Sequence, residues 1–202
     1  KNPTHANTAF GIGEWSVTKE MKDLTITVGY IYDQIGSGIL FRSYEDRGLL
    51  IDNALVGAEL KYKITDNIVL KGFTGQQKDN DLGNNPLTLS QRYAPIIKGF
   101  NAEGDFTFGT KNPVHVIPGV GVLNRTLDQS SIDAVVATIN SQDVSKRFEP
   151  MYNMYAFTAY NTLTIGDFSW YAEGAYKTHE AILVNNELID RPGNVEYTTI
   201  GY

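Results

Sequence analysis

The sequence predicts an all-β protein, an antiparallel, up-and-down β-barrel that crosses a membrane. Apolar and polar residues alternate with a period of two in segments that recur along the 202 residues, and this pattern gives each strand one apolar and one polar face. Tight turns such as 65–67 and 166–167 alternate with much longer connections. Short turns at one end and long loops at the other are typical of outer-membrane barrels.

Composition fits a barrel better than a helical membrane protein. No segment approaches the roughly eighteen consecutive apolar residues of a membrane-spanning helix, whereas a barrel needs only half of each strand to be apolar. The net charge of -6 argues against nucleic acid as a partner, because phosphates attract clustered Lys and Arg. The absence of cysteine excludes disulfides and thiolate metal sites.

We predict nine strands in a single barrel segment that covers residues 1–202. Most are close to the roughly nine to eleven residues with which a tilted strand crosses a hydrocarbon layer. Nine is an odd number for a bacterial barrel, and residues 1–5 contain neither an initiating Met nor an export signal. We therefore expect an incomplete barrel or a piece of a longer chain. The predicted strands are 10–19, 24–32, 54–64, 68–77, 99–109, 114–124, 152–165, 168–178 and 195–202.

Charged and aromatic residues occupy opposite parities in the clearest strands. Leu60 and Tyr62 share the predicted outward face of strand 54–64, and Phe100 lies on that of strand 99–109. A shift of one residue would turn the charges toward lipid, at a cost of about 2–4 kcal/mol for a cation at mid-membrane. The register is therefore well specified. The predicted lumen-facing residues are Glu59, Lys61, Lys63, Glu103 and Asp105.

Two segments depart from the regular strand pattern. Pro118 lacks the N–H that a β-ladder needs, so it implies a bulge, an edge or a strand end. Residues 130–140 begin with serine and place apolar residues at helical spacing, which predicts a short helix inside a long loop. The long external loops are predicted near 33–53, 78–98, 125–149 and 179–194.

The most distinctive stretch covers residues 32–57. It contains a Gly-Ser-Gly turn at 36–38, an Arg-Ser-Tyr-Glu-Asp-Arg segment at 42–47 and an Ile-Asp-Asn-Ala run at 51–54. These motifs resemble the signature of an uncharacterised family of outer-membrane β-barrel proteins of the Bacteroidota, most densely over residues 24–77. The resemblance implies a barrel in the outer membrane of a Gram-negative bacterium, and it brings no catalytic residues.

The charges in this stretch lead to a hypothesis about its loop. Gly36 and Gly38 allow backbone angles closed to other residues, so the chain can turn sharply there. One hypothesis is that loop 36–52 folds into the barrel mouth and forms an ion-paired constriction or plug, in which arginines bind carboxylates. The alternative is a solvated external loop. The charged residues concerned are Arg42, Glu45, Asp46, Arg47 and Asp52.

Signals for catalysis and metal binding are weak, and we predict no enzyme, no cofactor and no metal site. The three histidines lie far apart and lack the spacing of a zinc motif. Residues 78–85 resemble a calcium loop only faintly, without the glutamate that such a loop needs at its last position. A barrel hydrolase is one alternative, and it would need His179 to approach Ser37 or Ser43.

Together these patterns predict an outer-membrane protein that acts as a pore or as a structural subunit of an envelope complex. Its partners would be outer-membrane lipid and, through the long loops, other envelope proteins. The main alternative is a soluble lipocalin-like barrel that binds a small apolar ligand and turns its apolar rows inward. The direction in which the apolar rows point separates these two hypotheses.

Overall fold

One large antiparallel sheet contains most of the described residues. The computed structural model describes residues 14–46, 48–49, 51–77, 95–127, 129–184 and 187–201. The nine long strands pair in chain order, each with the strand before it and the strand after it. These strands are β1 Ser16–Met21, β2 Leu24–Ile31, β3 Leu55–Thr65, β4 Ile68–Gln77, β5 Ile96–Gly104, β6 Val114–Thr126, β7 Asn153–Ile165, β8 Phe168–Lys177 and β9 Asn194–Gly201.

The predicted strands are confirmed, with ends that shift by a few residues. The first is seen as β1, while residues 10–13 of the prediction lie outside the described part of the chain. The predicted strand 99–109 is divided, because β5 ends at Gly104 and a separate short strand, Phe106–Phe108, pairs with β6. The sequence pattern missed this division because the alternation of polar and apolar residues continues through it.

The division of that strand lies beside Pro118. Strand β6 pairs with β5 from Gly119 onward and with the short strand up to Val116. Its other neighbour, β7, pairs without interruption. Proline has no N–H to donate to a ladder. The pairing partner of β6 therefore changes at Pro118, where the sequence predicts a bulge, an edge or a strand end.

A helix and a hairpin lie in the two long loops that follow β6 and β8. Helix α1 covers Gln129–Ser141, which confirms the helix predicted at 130–140. Ile132 and Ile139 form its buried side. Among the described residues, no helix has the length and apolar character needed to span a membrane.

The hairpin is formed by Glu180–Val184 and Glu187–Arg191 and lies in the loop between β8 and β9. It contacts the end of the helix, where the Gln142 side chain donates a hydrogen bond to the Leu188 carbonyl at 3.1 Å. The Lys146 ammonium also lies 2.7 Å from the Glu187 carboxylate. The helix and the hairpin therefore form one layer at the long-loop end of the sheet.

The two faces of the sheet differ in polarity. The covered face is the one that the β2–β3 loop (residues 32–54) contacts, and the open face is its opposite. Across strands β3–β8, which are fully described, Lys98 is the one charged residue that the register places on the open face. The covered face carries Glu59, Lys61, Lys71, Asn101, Tyr160 and Glu173, and the open face carries Leu60, Tyr62, Phe100, Val120, Phe157, Trp170 and Tyr176.

The buried core lies on the covered face, between the sheet and the β2–β3 loop. Six neighbouring strands, β2–β7, each contribute buried side chains to this core, and the loop contributes Ile35, which is fully buried. Phe73 packs its ring over Gly99, where any larger residue would collide with it. The core members are Ile31, Ile35, Leu55, Phe73, Ile97, Leu123, Ala156 and Tyr160.

The edges of the sheet are β1 and β9, and they do not pair with each other among the described residues. The all-β, antiparallel, up-and-down architecture is therefore as predicted, whereas a closed barrel is not observed.

Candidate functional site

The β2–β3 loop has regular structure of its own. It contains two small hairpins, one between Gln34–Ile35 and Phe41–Arg42 and one between Glu45–Asp46 and Ile51–Asp52. Gly36 and Gly38 have φ of 56° and 97°, in the left-handed region that side chains disfavour. The predicted use of these glycines for a sharp turn is confirmed.

Apolar residues of the loop pack into the covered face. The rings of Phe41 and Phe73 lie 4.5 Å apart, measured between centroids. Ile35 packs against Gly121, whose missing side chain leaves the space that Ile35 occupies. Leu40 packs against the same core. Removing these side chains from water fixes the loop on the sheet, because each buried apolar side chain contributes about 1.5–3 kcal/mol.

Glu173 of β8 holds the first turn of the loop. Its carboxylate, with the residue 3% exposed, accepts a hydrogen bond from the Ser37 backbone N–H at 2.8 Å and another from the Ser37 hydroxyl. Tyr171 and Thr158 donate their hydroxyls to it at 2.6 Å and 2.8 Å. Four donors therefore satisfy one buried acid. Gly36 lies directly over the carboxylate, where an added Cβ would come within 2.6 Å of an oxygen.

Asp33 forms a second attachment, made of ion pairs with lysines on the covered face of β3 and β4. Its carboxylate lies 2.8 Å from the Lys71 ammonium and 3.0 Å from the Lys61 ammonium. Lys61 also lies 3.1 Å from the Glu59 carboxylate. Burial alone would raise the pKa of Asp33, but interactions with Glu59 and with the two lysines outweigh burial and hold this pKa well below its usual range.

The base of the loop is closed by Ser43. Its buried hydroxyl lies 2.8 Å from the Ile31 carbonyl and accepts a hydrogen bond from the Leu55 N–H at 3.1 Å. The Asn53 side chain accepts from the Tyr44 N–H at 2.6 Å and donates to the Arg42 carbonyl at 3.2 Å. These polar contacts connect the two ends of the loop where it leaves the sheet.

The predicted constriction residues that the structure describes make separate local contacts within the loop. The Arg42 guanidinium lies 4.3 Å from the ring centroid of Tyr44, and Asp46 accepts backbone hydrogen bonds that shape the tip of the second hairpin. Asp52 accepts from the Tyr32 hydroxyl at 3.1 Å. Glu45 is exposed, and Arg47 lies outside the described residues. A role for these charges as a constriction or plug stays a prediction.

The predicted lumen-facing residues lie mainly on the covered face. The register places Glu59, Lys61, Lys63 and Glu103 there, and Glu103 accepts a hydrogen bond from the Tyr160 hydroxyl at 2.9 Å. Asp105 instead follows the end of β5 and lies 2.6 Å from the His115 ring. Whether these residues face a lumen stays a prediction.

The residues that hold the loop do not stand out in the sequence. Asp33, Lys71 and Glu173 make polar contacts that hold the loop. In the sequence, each is an ordinary charged residue of a strand with alternating polarity or of a polar loop. For Glu173 a signal existed, because it is an acid on the parity opposite to Trp170 and Tyr176. Its partner Ser37 could not be found in this way, since the two residues are 136 positions apart.

The serines and histidines weighed for catalysis have other contacts. Ser37 donates to Glu173, Ser43 bonds to the backbone at the base of the loop, and His179 lies 3.5 Å from Asp190. No three His, Asp or Glu side chains in the described ranges converge in a way that could hold a metal ion. The calcium-like segment 78–85 lies outside these ranges. The hydrolase alternative stays untested.

Comparison with known proteins assigns the chain to a family. A family of unknown function (DUF6029) matches residues 3–202. The chain belongs to this family. The DUF6029 match covers nearly the whole sequence, whereas the resemblance described above is densest over residues 24–77. No curated protein and no solved structure matches the chain.

Proposed function

We propose that the sheet forms the wall of an outer-membrane β-barrel whose open face contacts lipid. The observation that carries this proposal is the exposure of apolar side chains along the open face, where Leu60 is 48% exposed, Val120 53% and Phe157 43%. A protein in water rarely exposes a large continuous apolar surface. A barrel wall in lipid requires one, with polar residues on the inner side.

The contacts of the loop fit a curved sheet. The loop reaches Lys71 of β4 through Asp33 and Glu173 of β8 through Ser37, and three strands lie between β4 and β8. A sheet that curves around the loop would bring these strands closer to it, and a barrel wall curves in this sense.

Open sheet edges are unfavourable in lipid, because unpaired backbone groups find no hydrogen-bond partners there. The proposal therefore includes closure, in which further strands complete the pairing of β1 and β9. The resemblance to outer-membrane proteins of the Bacteroidota supports the same location, in the envelope of a Gram-negative bacterium.

Within such a barrel the β2–β3 loop would occupy part of the interior. The protein would then act as a structural subunit of an envelope complex or as a narrow pore that this loop restricts. The packed residues Ile35 and Phe41 and the attachments at Asp33 and Glu173 support a fixed loop rather than a solvated one. The lipocalin-like alternative is disfavoured, because it requires the apolar rows to face inward.

Membrane extraction tests the location. In cells that naturally produce the protein, we expect it to remain in the outer-membrane fraction after carbonate washing and to require detergent for release. Recovery as a monodisperse protein without detergent would contradict the proposal.

Planar-bilayer recording tests the role of the loop. We expect the purified wild-type protein to conduct little. The double variant D33N/E173Q, in which both polar attachments lose their charge, should show more frequent or larger conductance steps. A wide and steady wild-type pore would contradict a restricting loop.

A further inference from the structure

A small cavity lies at the long-loop end of the covered face, separate from the attachments of the β2–β3 loop. Its volume is about 130 Å³. It is enclosed by the end of β6, the start of helix α1, the segment before β7 and the first residues of the 180–191 hairpin. The residues that matter for its chemistry are Arg125, Ser131, Tyr152, His179 and Glu180.

Arg125 is the unusual member of this lining. The register of β6 places it on the covered face, opposite Ile97 and Met154. Its Nε is buried and has no hydrogen-bond partner, and no ion pair joins its guanidinium to any of the described residues. A guanidinium carries five donors and cannot lose its charge. Arg125 is half-buried as a residue, so it is the Nε edge of the guanidinium that is shielded from water without a partner.

The surroundings of Arg125 favour a negative charge. The first turn of helix α1 has no acidic residue, and Ser131 of that turn lines the cavity. Asp128, which directly precedes the helix in the sequence, lies outside the described residues. The start of a helix carries a partial positive charge because its first N–H groups have no partner in the helix. His179 lies on the same lining and adds a further possible donor.

The acidic residue of the lining does not neutralise Arg125. The Glu180 carboxylate is paired with the Lys177 ammonium. Asp190 lies 3.5 Å from His179 and is about half exposed. Arg147, in the loop that follows β6, provides a contrast: its guanidinium donates hydrogen bonds to the carbonyls of Asn140 and Gln142.

We propose that this cavity binds a phosphate group through Arg125. A guanidinium presents parallel N–H donors that match two oxygens of one phosphate. The cavity is too small for a large ligand body, so the phosphate is either a free anion or the terminal group of a larger molecule such as a lipid. The inference does not depend on the membrane location, because the cavity is made by the loops and by one strand end.

Calorimetric titration of the purified full chain with inorganic phosphate, in a phosphate-free buffer, tests the site. We expect saturable binding by the wild-type protein and at least tenfold weaker binding by Arg125→Gln. Arg147→Gln is the matched control: it removes the same charge from the loop that follows β6 and should bind phosphate as the wild type does. Arg125→Lys keeps the charge but loses the parallel N–H donors of the guanidinium, so we expect intermediate affinity.

A second titration, with lipid nanodiscs that contain either phosphatidic acid or phosphatidylcholine, separates the two sources of phosphate. Preference for phosphatidic acid that is lost in Arg125→Gln identifies a lipid headgroup, whereas binding of inorganic phosphate alone identifies a free anion. Thermal unfolding of each variant shows whether it is folded. Absence of saturable binding of either probe by the wild type, or equal binding by folded Arg125→Gln and wild type, would overturn the inference.

Discussion

The covered and open faces are built from the same six strands, β3–β8, yet they differ in how their side chains are satisfied. On the covered face, the buried acid Glu173 accepts hydrogen bonds from three residues, and Lys61 and Lys71 pair with Asp33 of the loop. On the open face, aromatic and aliphatic side chains such as Phe157 remain exposed. Alternation along a strand therefore places the charged residues and the buried core on the covered face and leaves an apolar surface on the open face, whereas a water-soluble sheet protein rarely exposes such a surface.

The largest predicted effect comes from placing a charge on the open face. If this face contacts lipid, Val120→Arg in the middle of β6 should lower the free energy of unfolding from bilayers by about 2–4 kcal/mol. In a water-exposed sheet the same change would cost less than about 0.5 kcal/mol. Equilibrium unfolding of the protein in lipid vesicles measures the difference.

Val144→Arg is the control for this prediction. Val144 is 78% exposed and lies in a 3₁₀ turn after helix α1, outside the strands. The same substitution there should leave stability nearly unchanged in either environment. Equal effects at the two positions would remove the contrast between the faces on which the membrane proposal rests.

A smaller effect is expected from the acid that holds the loop on the covered face. Glu173→Gln keeps the shape of the side chain but loses the charge that four donors stabilise, and we expect a loss of about 2–3 kcal/mol in unfolding free energy. Limited proteolysis should also cut the β2–β3 loop faster, because its first turn is less well held.

Glu103→Gln provides the comparison on the same face. Glu103 is exposed and has the Tyr160 hydroxyl as its donor at 2.9 Å, so its substitution should cost about 1 kcal/mol at most. If both variants lose the same stability and proteolysis of the loop is unchanged, Glu173 does not hold the loop.

The smallest effect concerns Asp33 and depends on pH. The ionised carboxylate is stabilised in the folded protein, so its contribution is present above its unfolded pKa near 4 and is lost as pH falls through its lower folded pKa. Asp33→Asn should therefore destabilise by about 1–2 kcal/mol at pH 7. The difference from wild type should shrink below about pH 4.

Denaturant unfolding of both proteins between pH 7 and pH 3 measures this dependence. Asp66→Asn, in the exposed turn between β3 and β4, is the control and should change stability by less than about 0.5 kcal/mol at pH 7. A difference between Asp33→Asn and wild type that stays constant down to pH 3 would show that the carboxylate charge is not what matters.

The sequence by itself determined the strands, their order and the division of residues between the two faces. A period of two is a local property of the chain, and a charge in a strand such as β3 fixes the parity of every residue in it. The helix at 129–141 was also readable, because its apolar spacing and its polar flanks are local signals.

The tertiary structure decided which residues come together across the sheet. Ser37 meets Glu173, and Asp33 meets Lys71, only because the loop folds back over strands that follow it in the chain. Such pairs have no spacing rule, since their separation depends on how far the sheet curves and on where Ile35 and Phe41 pack. The same reason hid Arg125, because a charge at a strand end is ordinary in sequence and only the enclosed cavity shows that it lacks a partner.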